Sequence, residues 1–226
     1  MSGIVVPPIF DGRPVKAFFT TKALSCDKQA LAKFLAVPQD SIYMPVQKHT
    51  DKVVILDYDR DPKIGDAVIT ANRDVFIGVQ VADCMPVLLY DGKRHVAGAV
   101  HAGWRGTAAS IVRRTIEEMS RHFSTAPSDI IMAIGPGIRG CCYEVGYEVI
   151  EAVARASGEG DYYRTLGGKY YLDLAVANRQ QAVSSGISPE RIWLSGECTF
   201  CLPDKYYSYR YSKGSAGRQC GVIGIG

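Results

Sequence analysis

The chain has 226 residues, 47% of them hydrophobic and 22% charged, with a formal net charge of +3. That is long enough for a sizeable core and is the composition of an ordinary globular protein. Basic and acidic residues are interspersed without a Lys/Arg block, and no apolar run nears the ~18–20 residues that span a bilayer, so neither nucleic acid nor membrane is an expected partner.

The opening MSGIVVPPIFDGR has no basic region, long apolar stretch or small-residue cleavage site. It does not read as a signal peptide, and a cytoplasmic location is expected. In chain order the pattern then predicts a strand over Val15–Thr21 and a short helix over Asp27–Ala36. Strands follow over Lys52–Leu56, Ala67–Thr70, Val75–Val81, Pro86–Tyr90 and His95–Val100. Ala108–Phe123 carries apolar residues at amphipathic spacing, with Thr107 expected as its N-cap. After it come a strand over Ile130–Ile134, a helix over Glu144–Ser157 and a strand over Lys169–Leu172. A helix over Leu174–Ser185, capped by Asp173 and stopped by Gly186, precedes strands over Arg191–Leu194 and Tyr206–Arg210. There is no repeat, low-complexity segment or long linker, so residues 1–226 read as one domain. Strands gather before residue 101 and helices mostly follow, an order that favours α+β with mixed sheets and helical layers.

Only four histidines are present, at 49, 95, 101 and 122. His122, beside Arg121 late in a helix, suits the negative end of the helix dipole and reads as solvent-facing. His95 follows DGKR and reads as a surface turn residue. His49, in MPVQKHTDKVV, is a loop histidine, either solvated or a ligand. His101, in AVHAGWRGT, closes a strand, where ligands collect in sheets covered by helices. Gly103 and Gly106 permit close backbone approach, the next helix N-terminus offers free N–H groups, and Arg105 offers a fork of donors for phosphate or carboxylate. The plain alternative is a tight turn plugged by Trp104.

The seven cysteines are an odd number, and with no signal peptide they do not read as a disulfide framework. Cys84, in VADCMPVLLYD, lies at an expected bend, because Pro86 should interrupt pairing there. It is either a small buried hydrophobe or a functional thiol. His49, Cys84 and His101 together would make the three-ligand set of a catalytic zinc site, although their long spacing is not that of a zinc finger. Cys198 and Cys201 form a single CxxC with no second pair, and read as two unremarkable cysteines. Cys141 and Cys142 follow the Gly-rich GPGIRG, itself a weak indication of an anion-cradling turn.

The segments QKHTDKV, VADCMPVLLYD, GAVHAGWRGT, IGPGIRGCCYEVG, LDLAVANRQQ, GECT and YYSYR occur in that order. With them the chain resembles the YfiH-type family, also described as laccase-domain, multicopper polyphenol oxidase or peptidoglycan editing factor proteins, over residues 17–224. The resemblance implies a single-domain, cysteine-hydrolase-like fold of mixed sheets between helical layers. It implies zinc held by His49, Cys84 and His101, which would also carry catalysis. Substrate or phosphate is expected at Arg105, Gly106, Thr107, Gln47 and Arg210. The family often has two arginines after SY, whereas here Tyr211 follows Arg210.

The activity the resemblance implies is that of a zinc-dependent purine nucleoside enzyme. It would phosphorolyse adenosine, inosine and methylthioadenosine and deaminate adenosine to inosine. A water activated by the metal suits attack on C6 of adenine, and Arg105 suits phosphate. The expected partners are therefore a small nucleoside and phosphate. One alternative is an amidase that edits peptidoglycan precursors, with Cys84 as nucleophile and His101 as base. Another is polyphenol oxidase activity with copper at the same three ligands. A self-contained multicopper centre needs on the order of ten histidine ligands, and four exclude it. A binding protein with a structural metal is the remaining reading, and three ligands without a fourth argue against it.

Overall fold

The computed structural model describes residues 3–226. In chain order its strands are β1 (Ile4–Val5), β2 (Val15–Thr20), β3 (Ile42–Tyr43), β4 (Val53–Ile55), β5 (Ala67–Thr70), β6 (Phe76–Val81), β7 (Met85–Asp91), β8 (Val96–Ala102), β9 (Ile130–Ile134), β10 (Glu144–Val145), β11 (Tyr163–Leu166), β12 (Lys169–Leu172), β13 (Ile192–Leu194) and β14 (Gln219–Ile225). The helices are α1 (Lys28–Leu35), α2 (Trp104–Ala108), α3 (Ile111–Phe123), α4 (Tyr147–Ser157) and α5 (Leu174–Ser184).

Two mixed sheets dominate. One has the order β1-β2-β14-β6-β3 and the other β13-β9-β7-β8-β5-β4, while β10-β12-β11 form a small antiparallel sheet. The run MPVLLYD in β7 is buried throughout, and apolar up to its terminal Asp91, because both of its faces are covered. Val87 and Leu89 point to α3, α4 and α5, in a cluster with Ile116, Val153 and Leu174. Leu88 and Tyr90 point the other way, onto Phe19, Ile77 and Ile223 of the facing sheet. On the outer face of that sheet Phe18 and Val222 meet Leu31 and Leu35 of α1. The layers therefore run helix, sheet, sheet, helices, each strand alternating its side chains between two cores.

One helix cap follows the sequence pattern, Asp173 of α5, and Asp27 caps α1 although the predicted span had included it in the helix. Asp27 accepts the Ala30 N–H at 2.8 Å, and Asp173 accepts from Ala175 and Val176 at 3.1 and 3.3 Å. Elsewhere the structure corrects the expectation. The helix predicted from Ala108 is two helices, broken where Ser110 takes φ 60°. Thr107 is not an N-cap but lies inside α2, whose N-cap is Gly103. The Glu144 helix starts later, since Glu144 and Val145 pair with β12 instead. Tyr206–Arg210 is not a strand. Tyr206 donates to Glu197, and the backbone turns back on itself, with the Ser212 N–H reaching the Ser208 carbonyl. The strand that does form there is β14, pairing with β2 and β6. Its QCGVIGI sequence shows no alternation because it is buried on both faces, and a Cβ at Gly224 would stand 2.4 Å from the Phe76 ring. Pro86 does not interrupt pairing either: it sits in β7 opposite His101. The bend lies just before, at residues 82–84, where the chain leaves β6 in one sheet and enters β7 in the other.

Candidate metal and substrate site

His101 is the next-to-last residue of β8 and is 4% exposed. Cys84 stands at the corner between the two sheets, following Asp83, which takes φ 84°. His49 lies on the loop before β4 with φ 58°. A left-handed backbone at two non-glycine positions beside one centre marks a place where the surroundings impose the conformation. Ligand atoms of His49, Cys84 and His101 all lie within 4.8 Å of one another, with the two imidazole rings edge to face at 4.9 Å. Close approach requires Gly103, where a Cβ would meet the Cys84 sulfur at 2.8 Å.

Asp66, immediately before β5, organises the centre and was not foreseen. Its buried carboxylate takes Nδ1 of His101 at 2.8 Å. It also accepts the backbone N–H groups of Lys48, His49 and Thr50 at 3.2, 3.0 and 2.6 Å and the Thr50 hydroxyl at 2.8 Å. One acid thereby shapes the His49 loop and fixes the His101 ring, leaving Nε2 as the free ring nitrogen. The signal in the sequence was slight: an acid preceding the apolar AVIT, in a chain where a ligating histidine needs a carboxylate behind it.

Electrostatics match this geometry. Burial opposes the charged form of Asp66, but the hydrogen bonds from His101 and Thr50 outweigh it and hold the carboxyl well below its usual range. Burial likewise opposes charging His101, and its bonds to Asp66 and Cys84 raise it to about 9. For Cys84 burial favours the thiol, while hydrogen bonds and charge from His101 and His49 bring it down to about 6. Two imidazoles and a readily formed thiolate, with a carboxylate behind one ring, are a donor set that fits a borderline divalent ion such as zinc.

The centre forms part of the wall of a cavity of about 1050 Å³. Arg105 and Arg210 line it, with Tyr143 and Trp104 beside them. The Arg105 guanidinium stacks on Trp104 at 4.3 Å. Arg210 lies 5.4 Å over the Tyr143 ring, its N–H bound to Asp83 at 2.7 Å and its guanidinium to the Glu144 carbonyl at 3.0 Å. Gln47 also lines the cavity, but its amide clasps the backbone of Gln80 at 2.8 and 2.7 Å, which braces the His49 loop on β6. Gly106 and Thr107 are placed differently from the expectation. Both are buried in α2 and do not line the cavity. The Thr107 N–H is bound to the Gly103 carbonyl at 2.8 Å, and its hydroxyl accepts from Asn178 of α5 at 2.9 Å. Thr107 thus packs against α5, and Gly106 fits closely against Ile111 and the His101 and Thr50 carbonyls. His122 lies exposed at the end of α3, 3.1 Å from Glu118, and His95 sits in the turn before β8.

Known proteins share this arrangement of chain. The family described as multi-copper polyphenol oxidoreductase laccase matches residues 20–226. A purine nucleoside phosphorylase of Deinococcus radiodurans is 42% identical over 161 residues, which are 71% of this chain and 61% of that protein. One from Aquifex aeolicus is 40% identical over 77% of this chain and 79% of its own length. Adenosine deaminase RL5, from an unknown prokaryotic organism, is 34% identical over 83% of this chain and 76% of its own. Among solved structures, YlmD from Geobacillus stearothermophilus aligns with a TM-score of 0.91 and 28% identity over 99% of this chain and 96% of its own. YfiH of Bacillus licheniformis aligns with a TM-score of 0.86 and 29% identity, covering 94% of this chain and 93% of that one. The chain belongs to the laccase-like YfiH/YlmD family, whose relatives include enzymes named for purine nucleoside chemistry.

Proposed function

We propose that His49, Cys84 and His101 hold zinc and that the adjoining cavity takes purine nucleosides. The reactions are phosphorolysis of adenosine, inosine and methylthioadenosine, and deamination of adenosine to inosine. The observation that carries this reading is the convergence of three ligands from distant positions on one wall of a cavity that also presents two arginines. The names of the relatives support the substrate class.

Bound zinc would supply Lewis acidity beside the reacting atoms. The chain supplies the rest. Asp66 keeps His101 oriented, and Gly103 leaves the space in which Cys84 and His49 approach. Arg105 and Arg210 bring fixed positive charge to the cavity, suited to the oxygens of phosphate. Burial, then the Cys84 charge, pushes the Tyr143 hydroxyl up to about 12, so at neutral pH it stays protonated and can donate to a substrate heteroatom. Met44, Pro45 and Trp104 give the cavity an apolar wall for a purine ring. In phosphorolysis a phosphate oxygen bonds to C1′ while the bond from C1′ to the base breaks, and the base leaves with the electron pair and gains a proton. In deamination water adds at C6 and ammonia leaves.

The family's description favours a second reading, a single copper at the same ligands with polyphenol oxidation. One experiment separates these. Purified protein of measured metal content is given adenosine, inosine and methylthioadenosine with and without phosphate, and the bases are followed by chromatography. Phosphate-dependent base release, with inosine formed from adenosine, is expected of the zinc form. Turnover of phenols by a copper form alone favours the second reading. Release of serine from a UDP-muramoyl-serine substrate, with nucleosides untouched, would replace both by an amidase.

A further inference from the structure

A second cluster of metal-ligating side chains lies outside this site. Cys141, Cys142, Cys198 and Cys201 have sulfurs that all lie within 4.8 Å of one another. The four come from two loops far apart in sequence. Cys141 and Cys142 follow the turn after β9, and Cys198 and Cys201 form the CxxC after β13. Backbone pairing carries the two loops together up to the sulfurs. Gly137 bridges Cys198, the Thr199 N–H reaches the Gly137 carbonyl at 3.1 Å, and the Arg139 N–H points at the Cys198 sulfur at 3.4 Å.

The geometry points to a closed, four-thiolate site for a soft divalent ion, zinc first, that joins the two loops independently of the His49–Cys84–His101 centre. Three observations carry it. The Cys201 sulfur lies 3.7 Å from that of Cys141 and 3.2 Å from that of Cys142. A tetrahedron with Zn–S near 2.3 Å has edges of about 3.8 Å; the Cys141–Cys201 separation matches it, and the shorter Cys142–Cys201 separation has to open to admit the ion. A disulfide joins sulfurs one to one, whereas Cys201 here faces two partners at once. Next, Cys141 and Cys201 are exposed, so the cluster is not a set of thiols filling a core. Finally, the N–H groups of Arg139 and Cys201 both serve the Cys198 sulfur, the kind of bond that disperses thiolate charge and orients a ligand. On binding, the ion would displace the thiol protons to solvent, with no change of oxidation state.

The site also has a route to the first centre. Thr199, inside the CxxC, donates its hydroxyl to Asp83 at 2.6 Å, and the Asp83 carbonyl accepts the Ile138 N–H at 2.8 Å. Asp83 precedes Cys84 at the corner between the sheets. Fixing the CxxC turn therefore steadies the bend that presents the first site's thiolate.

The test is metal stoichiometry with Co(II) as spectroscopic probe, on the full chain under reducing conditions. The wild type should bind two equivalents, and its spectrum should contain the intense visible bands and sulfur-to-metal charge transfer of tetrahedral tetrathiolate cobalt. The double variant Cys198→Ser/Cys201→Ser should lose one equivalent together with those bands. His49→Ala should lose the other equivalent and keep them, so failure of either site is distinguishable. A second measurement needs no variant. With zinc bound, Cys141, Cys142, Cys198 and Cys201 should resist alkylation until a chelator is added. A single equivalent in the wild type without tetrathiolate bands would overturn the proposal. So would alkylation of these four at the same rate with and without zinc, or a Cys142–Cys201 disulfide that persists in reductant.

Discussion

Two clusters of metal-ligating side chains contain cysteine, and the two are built differently. At the first, one cysteine joins two histidines beside a cavity, with Asp66 buried behind His101 and arginines on the same wall. At the second, four cysteines from two loops face one another, Cys198 buried and Cys141 and Cys201 exposed, held by backbone pairing between the loops. Three ligands leave a coordination position for a reacting molecule, while four close the sphere. The first centre also invests in orientation, with a carboxylate bound by five polar groups around its two oxygens. At the second, orientation comes from the backbone N–H groups of Arg139 and Cys201 on the Cys198 sulfur. The comparison teaches that donor chemistry alone does not make a reactive site; an open position, an oriented ring and a neighbouring cavity do.

The sharpest way to break this contrast is to remove the thiol at the open site. Cys84→Ser should lose metal from that site and reduce nucleoside turnover by more than about a hundredfold, beyond the loss typical of an outer partner. Activity and metal content measured on the same sample check it. Asp66→Asn removes the acid behind His101 without removing a ligand. It should weaken metal affinity and activity by about 10–100-fold, read by competition with a chromogenic chelator. Charge in the cavity comes next. Arg105→Ala or Arg210→Ala should raise the phosphate KM by about tenfold or more, as for loss of a charge-assisted hydrogen bond of about 1.5–3 kcal/mol, and leave metal content unchanged. An unchanged phosphate KM in both would remove the arginines from the phosphate site.

The link between the two places gives a smaller effect. Thr199→Val should cost about 1–3 kcal/mol in denaturant unfolding by leaving the buried Asp83 carboxylate short of a donor. Finally, pH titrates the open site in metal-free protein. The Cys84 pKa is lowered from 9.0 to about 6, so its contribution to stability is present above the unfolded value and is lost as pH falls through about 6. The His101 pKa is raised from 6.5 to about 9, so its contribution is present below the unfolded value and is lost as pH rises through about 9. Both shifts describe one thiolate–imidazolium pair, which is therefore charged between about 6 and about 9. Alkylation of Cys84 in chelator-treated protein should titrate with a midpoint near 6. A midpoint near the ordinary value of 9.0 would contradict the pairing.

Much of this was legible in the chain. Strands with one or two apolar faces announced themselves, and the acid cap of α5 fell where the pattern put it. β14 was hidden because its glycines make room for aromatic rings of the neighbouring strands, and that need appears only once the sheet exists. Tyr206–Arg210 alternates like a strand, yet its buried groups are satisfied by a turn and by Glu197. His101 and Cys84 stood out by position, at a strand end and a bend. Their ligand chemistry grouped them with His49, their spacing did not, and the family resemblance strengthened that grouping. Asp66 was missed because an acid before a strand is commonplace, and its role rests on long-range folding. Cys198 and Cys201 read as unremarkable, and Cys141 and Cys142 only as neighbours of a Gly-rich turn, because the two pairs meet only once β9 and β13 lie side by side.

Turnover of purine nucleosides at the open three-ligand centre is the proposal on which the rest depends. The most direct measurement gives adenosine to zinc-loaded wild type and to Cys84→Ser, with and without phosphate, and quantifies adenine, hypoxanthine, ribose 1-phosphate and inosine. Ribose 1-phosphate is expected only with phosphate, in an amount equal to adenine plus the hypoxanthine released from inosine, with inosine formed in either condition and none of these from the variant. Equal product from wild type and variant, or no product from zinc-loaded wild type, would contradict it.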